Sequence, residues 1–150
     1  MSEHFLSLIP TTPEYVPVAE ALARARELFA GFVPAADEIE ARITDEIEFV
    51  DQGENFERVR CPNCAAELAM EWWQEAMDTA YQTRFQNLKV TTVCCGFTTS
   101  LNELDYHWPA GFARFCLRVR GPRQKEVAPE HIRKLEEVLS TPLRQIWTHY

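Results

Sequence analysis

Hydrophobic and polar positions change period several times along the chain, and each change marks an element. Phe5-Leu6-Ser7-Leu8-Ile9 is a short, mostly apolar run closed by Pro10, the pattern of a strand buried on at least one face. Beyond the turn at Thr11-Thr12-Pro13, Val18, Leu22, Ala25 and Phe29 share one helical face while Glu20, Arg24 and Glu27 fall elsewhere. That spacing predicts a helix opened by Pro17 and ended by Gly31. Over residues 37–50 the period drops to two: Ile39, Ala41, Ile43, Ile47 and Phe49 alternate with Glu38, Glu40, Arg42, Glu46 and Glu48. This reads as a strand with one wet face, interrupted at Thr44-Asp45.

The end of the chain repeats the same order. Over residues 112–120, Ala113, Phe115, Leu117 and Val119 alternate with Arg114, Cys116, Arg118 and Arg120, and Gly121-Pro122 closes the strand. Pro129 can open a helix whose buried stripe is Ile132, Leu135, Val138 and Leu139, stopped by Ser140-Thr141-Pro142 before a last strand from Leu143. The order β-α-β-β-α-β predicts an α+β fold with the ferredoxin-like split arrangement, an antiparallel sheet covered by helices on one face. Between the halves, residues 56–60 and 88–93 read as strands that deliver the two cysteine clusters, residues 97–100 lead away, and residues 71–85 read as a helix with Trp73, Met77, Ala80 and Tyr81 on one face. Ser100-Leu101-Asn102-Glu103 has the capping-box form, and residues 105–111 read as a loop returning to the sheet. The expected organisation is one domain, with 1–55 and 111–150 as the two halves of an α/β sandwich and 56–105 as an insertion.

Composition narrows the class. A chain of 150 residues with 46% hydrophobic and 25% charged positions suits a single globular domain that buries roughly 70% of its unfolded surface. The first residues carry no basic region and no apolar run of signal-peptide length, and no uninterrupted apolar stretch is long enough to span a membrane. These features predict a cytoplasmic protein. A formal net charge of −8 disfavours nucleic acid and anionic membranes and favours basic protein partners.

The informative chemistry is in the cysteines. There are five, four of them in two tight clusters, Cys61-Pro62-Asn63-Cys64 and Cys94-Cys95-Gly96, and in a reducing compartment that arrangement argues for metal over disulfides. In Cys-Pro-X-Cys the two sulfurs face one point, and four thiolates at about 2.3 Å suit tetrahedral zinc in a closed, structural site. The expected cofactor is therefore structural Zn²⁺ held by Cys61, Cys64, Cys94 and Cys95. The second cluster is irregular, because adjacent side chains of a strand point apart unless the backbone turns, which Gly96 permits. For the fourth ligand, Cys94 stands first, with His107 as substitute and Cys116 behind it. Buried cysteines without metal and a Cys61/Cys64 redox pair are the competing readings.

Other chemistry is thin. His4, His107, His131 and His149 fall on four different elements, and no nucleophile elbow, His-Glu-X-X-His helix or phosphate-binding loop is present. Glu67, Glu71 and Glu75 read as a solvated helix face. Residues 105–108 read as a loop anchored by its aromatics. Arg114, Arg118 and Arg120 with Arg144 form either a basic stripe or cross-strand partners of Glu38, Glu40 and Glu48.

Asp51-Gln52-Gly53-Glu54-Asn55-Phe56, Cys61-Pro62-Asn63-Cys64, Glu71-Trp72-Trp73, Thr91-Thr92-Val93-Cys94-Cys95-Gly96 and residues 104–112 (Leu-Asp-Tyr-His-Trp-Pro-Ala-Gly-Phe) together resemble an uncharacterised family of small bacterial proteins over nearly the whole chain. The resemblance implies a bacterial origin, no known activity, and a zinc-ribbon-like insertion built on the shared Cys-Pro-X-Cys and Cys-Cys-Gly signatures. Three functional classes follow. The first is a zinc-stabilised protein-binding module, an adaptor or immunity-type inhibitor that covers a basic partner. The second is a nucleic-acid-binding zinc ribbon, and the third a zinc-dependent enzyme with a pocket near His107. No active site is legible, so the enzyme reading is the weakest.

Overall fold

The computed structural model describes residues 3–150; Met1 and Ser2, which begin the stretch read as lacking a leader, lie outside the described residues. The elements follow in order as β1 (His4–Pro10), α1 (Ala19–Phe32), β2 (Glu38–Val50), β3 (Val59–Arg60), α2 (Met70–Tyr81), β4 (Lys89–Thr91), β5 (Thr98–Ser100), β6 (Asp105–Tyr106), β7 (Gly111–Arg120), α3 (Pro129–Leu139) and β8 (Leu143–His149). A 3-10 turn, Leu101–Glu103, joins β5 to β6, and the Ser100 hydroxyl caps it by accepting from the Asn102 amide at 3.1 Å.

The four long strands form one antiparallel sheet in the order β2-β7-β1-β8. β1 and β2 therefore run the same way with β7 between them, while β7 and β8 run the same way with β1 between them. The period-two pattern decides which face is covered. Leu6 and Leu8 of β1 and Phe115, Leu117 and Val119 of β7 pack with Ala25 and Phe29 of α1 and Ile132, Leu135 and Leu139 of α3 in one buried cluster. Each of the larger side chains among them, removed from water, contributes about 1.5–3 kcal/mol. The alternate positions, including Ser7, Cys116 and Arg118, belong to the opposite, open face.

The break read at Thr44-Asp45 is a bulge. Ile43 pairs with Phe115 and Glu48 with Ala113, so residues 44–47 stand against Arg114 alone, and the Arg114 guanidinium donates back to the Thr44 carbonyl at 3.0 Å. Helix α1 runs through Gly31 and ends at Phe32, with Val33 as its cap, because no neighbour crowds Gly31 and nothing there demands a turn. Helix α3 starts on Pro129 and stops at Ser140, which adopts the left-handed conformation. Among the described residues no helix is long and apolar enough to cross a membrane.

Residues between β2 and β7 form a lobe with a core of its own. Val59, Cys61, Leu68, Trp73, Met77, Leu88, Leu101, Leu104 and Tyr106 cluster with Ile47 and Phe112 of the sheet strands. Aromatic rings carry the contact: Phe49 lies 5.1 Å from Phe112 and 5.8 Å from Trp73, and Phe85 lies 5.2 Å from Phe112, centroid to centroid. Two differences from the sequence pattern follow from this packing. The stretch read as a loop from Asp105 begins with β6, which pairs with β3, and Tyr106 is drawn inside, donating to the Leu101 carbonyl at 2.7 Å and accepting from Trp73 Nε1 at 3.2 Å. Tyr81 leaves the buried face of α2; it is 53% exposed and stacks against the Arg84 guanidinium.

Candidate metal centre

Two short turns bring the cysteines together. β3 ends at Arg60 and hands the chain to Cys61, whose amide donates to the Ala66 carbonyl and whose carbonyl accepts from the Ala65 amide, both at 2.9 Å. The turn needs a left-handed residue, and Ala65 takes it at φ 64°, at a cost of roughly 1–2 kcal/mol for a residue with a Cβ. The β4–β5 hairpin makes the same turn: the Thr92 amide donates to the Phe97 carbonyl at 2.9 Å, the Gly96 amide to the Thr92 carbonyl at 3.0 Å, and Gly96 takes φ 70°. In this frame Thr92 matches Cys61, Cys94 matches Asn63, and Cys95 matches Cys64.

The side-chain sulfurs of Cys61, Cys64, Cys94 and Cys95 all lie within 4.8 Å of one another. Sulfurs held at about 2.3 Å from one tetrahedral ion stand about 3.8 Å apart. Here Cys61 is 3.8 Å from Cys95, Cys64 is 3.3 Å from Cys94, and Cys94 is 4.0 Å from Cys95. All five cysteines are free thiols. Cys61 is buried in the lobe core while the other three face solvent, so one ligand roots the cluster in the packing and the rest close over it.

The electrostatics fit a cation. Burial disfavours a thiolate at Cys61, yet the Cys64 amide, the hydrogen bond with the Thr92 hydroxyl and the Asn63 amide favour it, and the balance lowers its pKa from 9.0 to about 6. Cys64 behaves oppositely: the Ala66 amide favours its thiolate, but the Cys94 thiol and burial outweigh that and push it up to about 12. Cys95 is lowered, first by donation from the Asn63 side chain and then from Thr92. Neighbouring thiols cannot all ionise against one another. A divalent cation among them removes that penalty and deprotonates them together.

The remaining candidates lie elsewhere. His107 Nε2 pairs with Glu57 at 3.3 Å, and His107 stands outside the sulfur group. Cys116 is half-buried on the open sheet face, its thiol pushed up mainly by burial, in a groove of about 90 Å³ beside Arg42, Arg114 and Arg118. Among the described residues no other set of three His, Cys, Asp or Glu side chains converges on one point, Glu67, Glu71 and Glu75 included. The arginine stripe is broken up. Arg120 pairs with Glu38 at 3.5 Å, and Arg144 turns into the joint between lobe and sheet, donating to the carbonyls of Asn102 and Ala110 at 2.8 and 3.0 Å. Arg118 lies over the Phe5 ring at 3.8 Å. Of the loop aromatics, Tyr106 anchors the chain as expected, whereas Trp108 is exposed.

Thr92 and Asn63 are the site residues that sequence reasoning misses. Thr92 is buried, with its hydroxyl 3.6 Å from Cys61 Sγ and 3.7 Å from Cys95 Sγ, and Asn63 Nδ2 reaches Cys95 Sγ at 3.5 Å. The signal was available: Thr92-Val93-Cys94-Cys95-Gly96 has the frame of Cys61-Pro62-Asn63-Cys64-Ala65. Fold and site together define an α+β protein with an antiparallel sheet and a thiol-lined lobe. Comparison with protein-family models, curated proteins and solved structures finds no match to this chain.

Proposed function

We propose that the chain is a zinc-stabilised protein-binding module of the cytoplasm, an adaptor or inhibitor of the small bacterial kind it resembles. The observation that carries this reading is the convergence of four thiols from two turns within 4.8 Å. An all-sulfur donor set selects zinc or iron over magnesium and calcium, and four protein ligands make a closed site that builds structure. In support of a zinc-ribbon-like insertion, each turn follows a short strand and both carry the same backbone hydrogen bonds. In support of a ferredoxin-like frame, the order β2-β7-β1-β8 is that of a split β-α-β pair with both helices in one cluster.

Binding of a basic partner accords with the net charge of −8. It also accords with the apolar tip of the second turn, where Val93 is 71% and Phe97 38% exposed, since interfaces pair an apolar centre with a charged rim. Metal analysis of chain purified without added zinc tests the first half: about one zinc per chain is expected from the four-thiolate set, and iron or no metal overturns it. A pull-down from the native cell at low and moderate salt tests the second; recovery of no stable partner ends it. A second reading, nucleic-acid binding on the open face, draws on Arg118 stacked over Phe5. A gel-shift series at low salt that shows no retarded DNA or RNA removes it.

A further inference from the structure

The two turns share one backbone hydrogen-bond frame, which maps Cys64 onto Cys95 but Cys61 onto Thr92 and Asn63 onto Cys94. Each turn offers a first and a fourth position for metal ligands. The first turn fills them with Cys61 and Cys64, whereas the second fills them with Thr92 and Cys95, as the matching amide-to-carbonyl bonds show. The third position of each turn reaches across to the fourth position of the other: Asn63 Nδ2 lies 3.5 Å from Cys95 Sγ, and Cys94 Sγ lies 3.3 Å from Cys64 Sγ. Cys94 thus occupies the place of an outer hydrogen-bond donor. The Thr92 hydroxyl occupies the place of a ligand, 3.6 and 3.7 Å from two sulfurs, close to the spacing of about 3.8 Å between ligands on one tetrahedral zinc.

We infer that the metal is held by a rigid three-thiolate frame, Cys61, Cys64 and Cys95, and that Cys94 is a releasable fourth ligand. Its departure opens one coordination position beside Thr92 to an external soft or borderline donor, a thiolate or an imidazole. Two observations separate Cys94 from the frame, and a third permits its release. Its position in the turn is the one whose counterpart, Asn63, is no ligand. It is exposed, as Cys64 and Cys95 are, so leaving the metal uncovers no core, unlike Cys61. Among the described residues its sulfur is approached by thiols alone, whereas Cys61 and Cys95 are also held by Thr92 and Cys64 by the Ala66 amide. Ligands oriented by such outer hydrogen bonds bind metal about 10- to 100-fold better than those without them. The inference rests on the metal reading proposed above and names which corner of that site can open.

The test uses the full-length reduced chain with cobalt(II) as the probe, competed by zinc and titrated with imidazole. Cys94→Ser is expected to keep one cobalt per chain with affinity lowered by about 10- to 100-fold, and its visible spectrum is expected to shift on adding imidazole. Cys64→Ser and Cys95→Ser are expected to lose stoichiometric uptake. The double variant Thr92→Cys with Cys94→Ser, which restores a regular pair of turns, is expected to recover wild-type affinity and to ignore imidazole. The inference is overturned if Cys94→Ser is as damaging as Cys64→Ser, if its spectrum is indifferent to imidazole, or if the double variant binds no better than Cys94→Ser. A wild-type chain that takes up no cobalt overturns the metal reading itself, and this inference with it.

Discussion

Asn102 joins the lobe to the sheet through a single buried side chain. Its Nδ2 donates to the Thr11 carbonyl at 3.1 Å, its Oδ1 accepts from the Phe112 amide at 2.9 Å and from Arg144 Nη1 at 3.2 Å. Removing it takes their side-chain partner from the Phe112 amide and the Thr11 carbonyl in the interior, while Arg144 keeps the carbonyls of Asn102 and Ala110. Asn102→Ala is therefore expected to lower stability by about 2–4 kcal/mol, read as a reduced urea midpoint with an unchanged slope. Gly111 beside it has no room for a side chain, since a Cβ there would sit 2.8 Å from both Arg144 Nη1 and Ile9 Cδ1. Tyr106 makes a pH prediction. Burial, the largest influence, raises its phenol well above the ordinary 10.0 despite donation from Trp73. A raised folded-state pKa means that the buried phenol's contribution is complete below pH 10 and is lost as pH climbs above it. Of the four tyrosines, Tyr106 should then ionise only as the chain unfolds, so its absorbance change at high pH should coincide with the loss of circular dichroism and vanish in Tyr106→Phe.

At the scale of elements, the lobe would depend on the proposed ion far more than the sheet. β3, β4, β5 and β6 are two or three residues long and form their ladders with one another, too short for independent stability. An all-thiolate zinc site contributes an apparent 10–16 kcal/mol in small peptides, about the entire stability of a domain. Chelation is therefore expected to unfold the lobe first. Fluorescence from Trp72 and Trp73 of α2 should change at once, while amide protons of β1 and β7 stay protected from exchange. Simultaneous loss of protection in β1 would show the two cores to be one cooperative unit. Phe112 couples them, because it is fully buried and packs on Phe49 and Phe85. Phe112→Ala is expected to cost about 3–5 kcal/mol and to raise the sensitivity of the sheet to chelator.

For the whole molecule, the balance of 23 acidic against 15 basic residues sets long-range behaviour. Four thiolates and one divalent cation add two further negative charges relative to neutral thiols, so loading with zinc makes the chain more acidic. Metal-loaded protein is expected to flow through an immobilised polyanion at low salt and to be held by an anion exchanger. Retention on the polyanion that fades with rising salt would favour the nucleic-acid reading. Ion pairs do little for the fold at this scale, since Arg42–Glu48 at 2.8 Å and Arg123–Asp37 at 3.0 Å are solvent-exposed, and such pairs contribute about 0–1 kcal/mol each.

The sequence by itself determined the order of the long elements. Alternation in β1, β2 and β7 and the stripes of α1 and α3 are local patterns, legible because a buried face imposes its period on neighbouring residues. It also named the four cysteines that converge, since two residues between thiols fix the shape of a turn. The β3–β6 pairing, the burial of Tyr106, the capture of Arg144 by Asn102 and the approach of the Thr92 hydroxyl to the Cys61 sulfur were decided only in the tertiary structure. Each joins residues far apart along the chain, and no local period records which distant partner a side chain will meet.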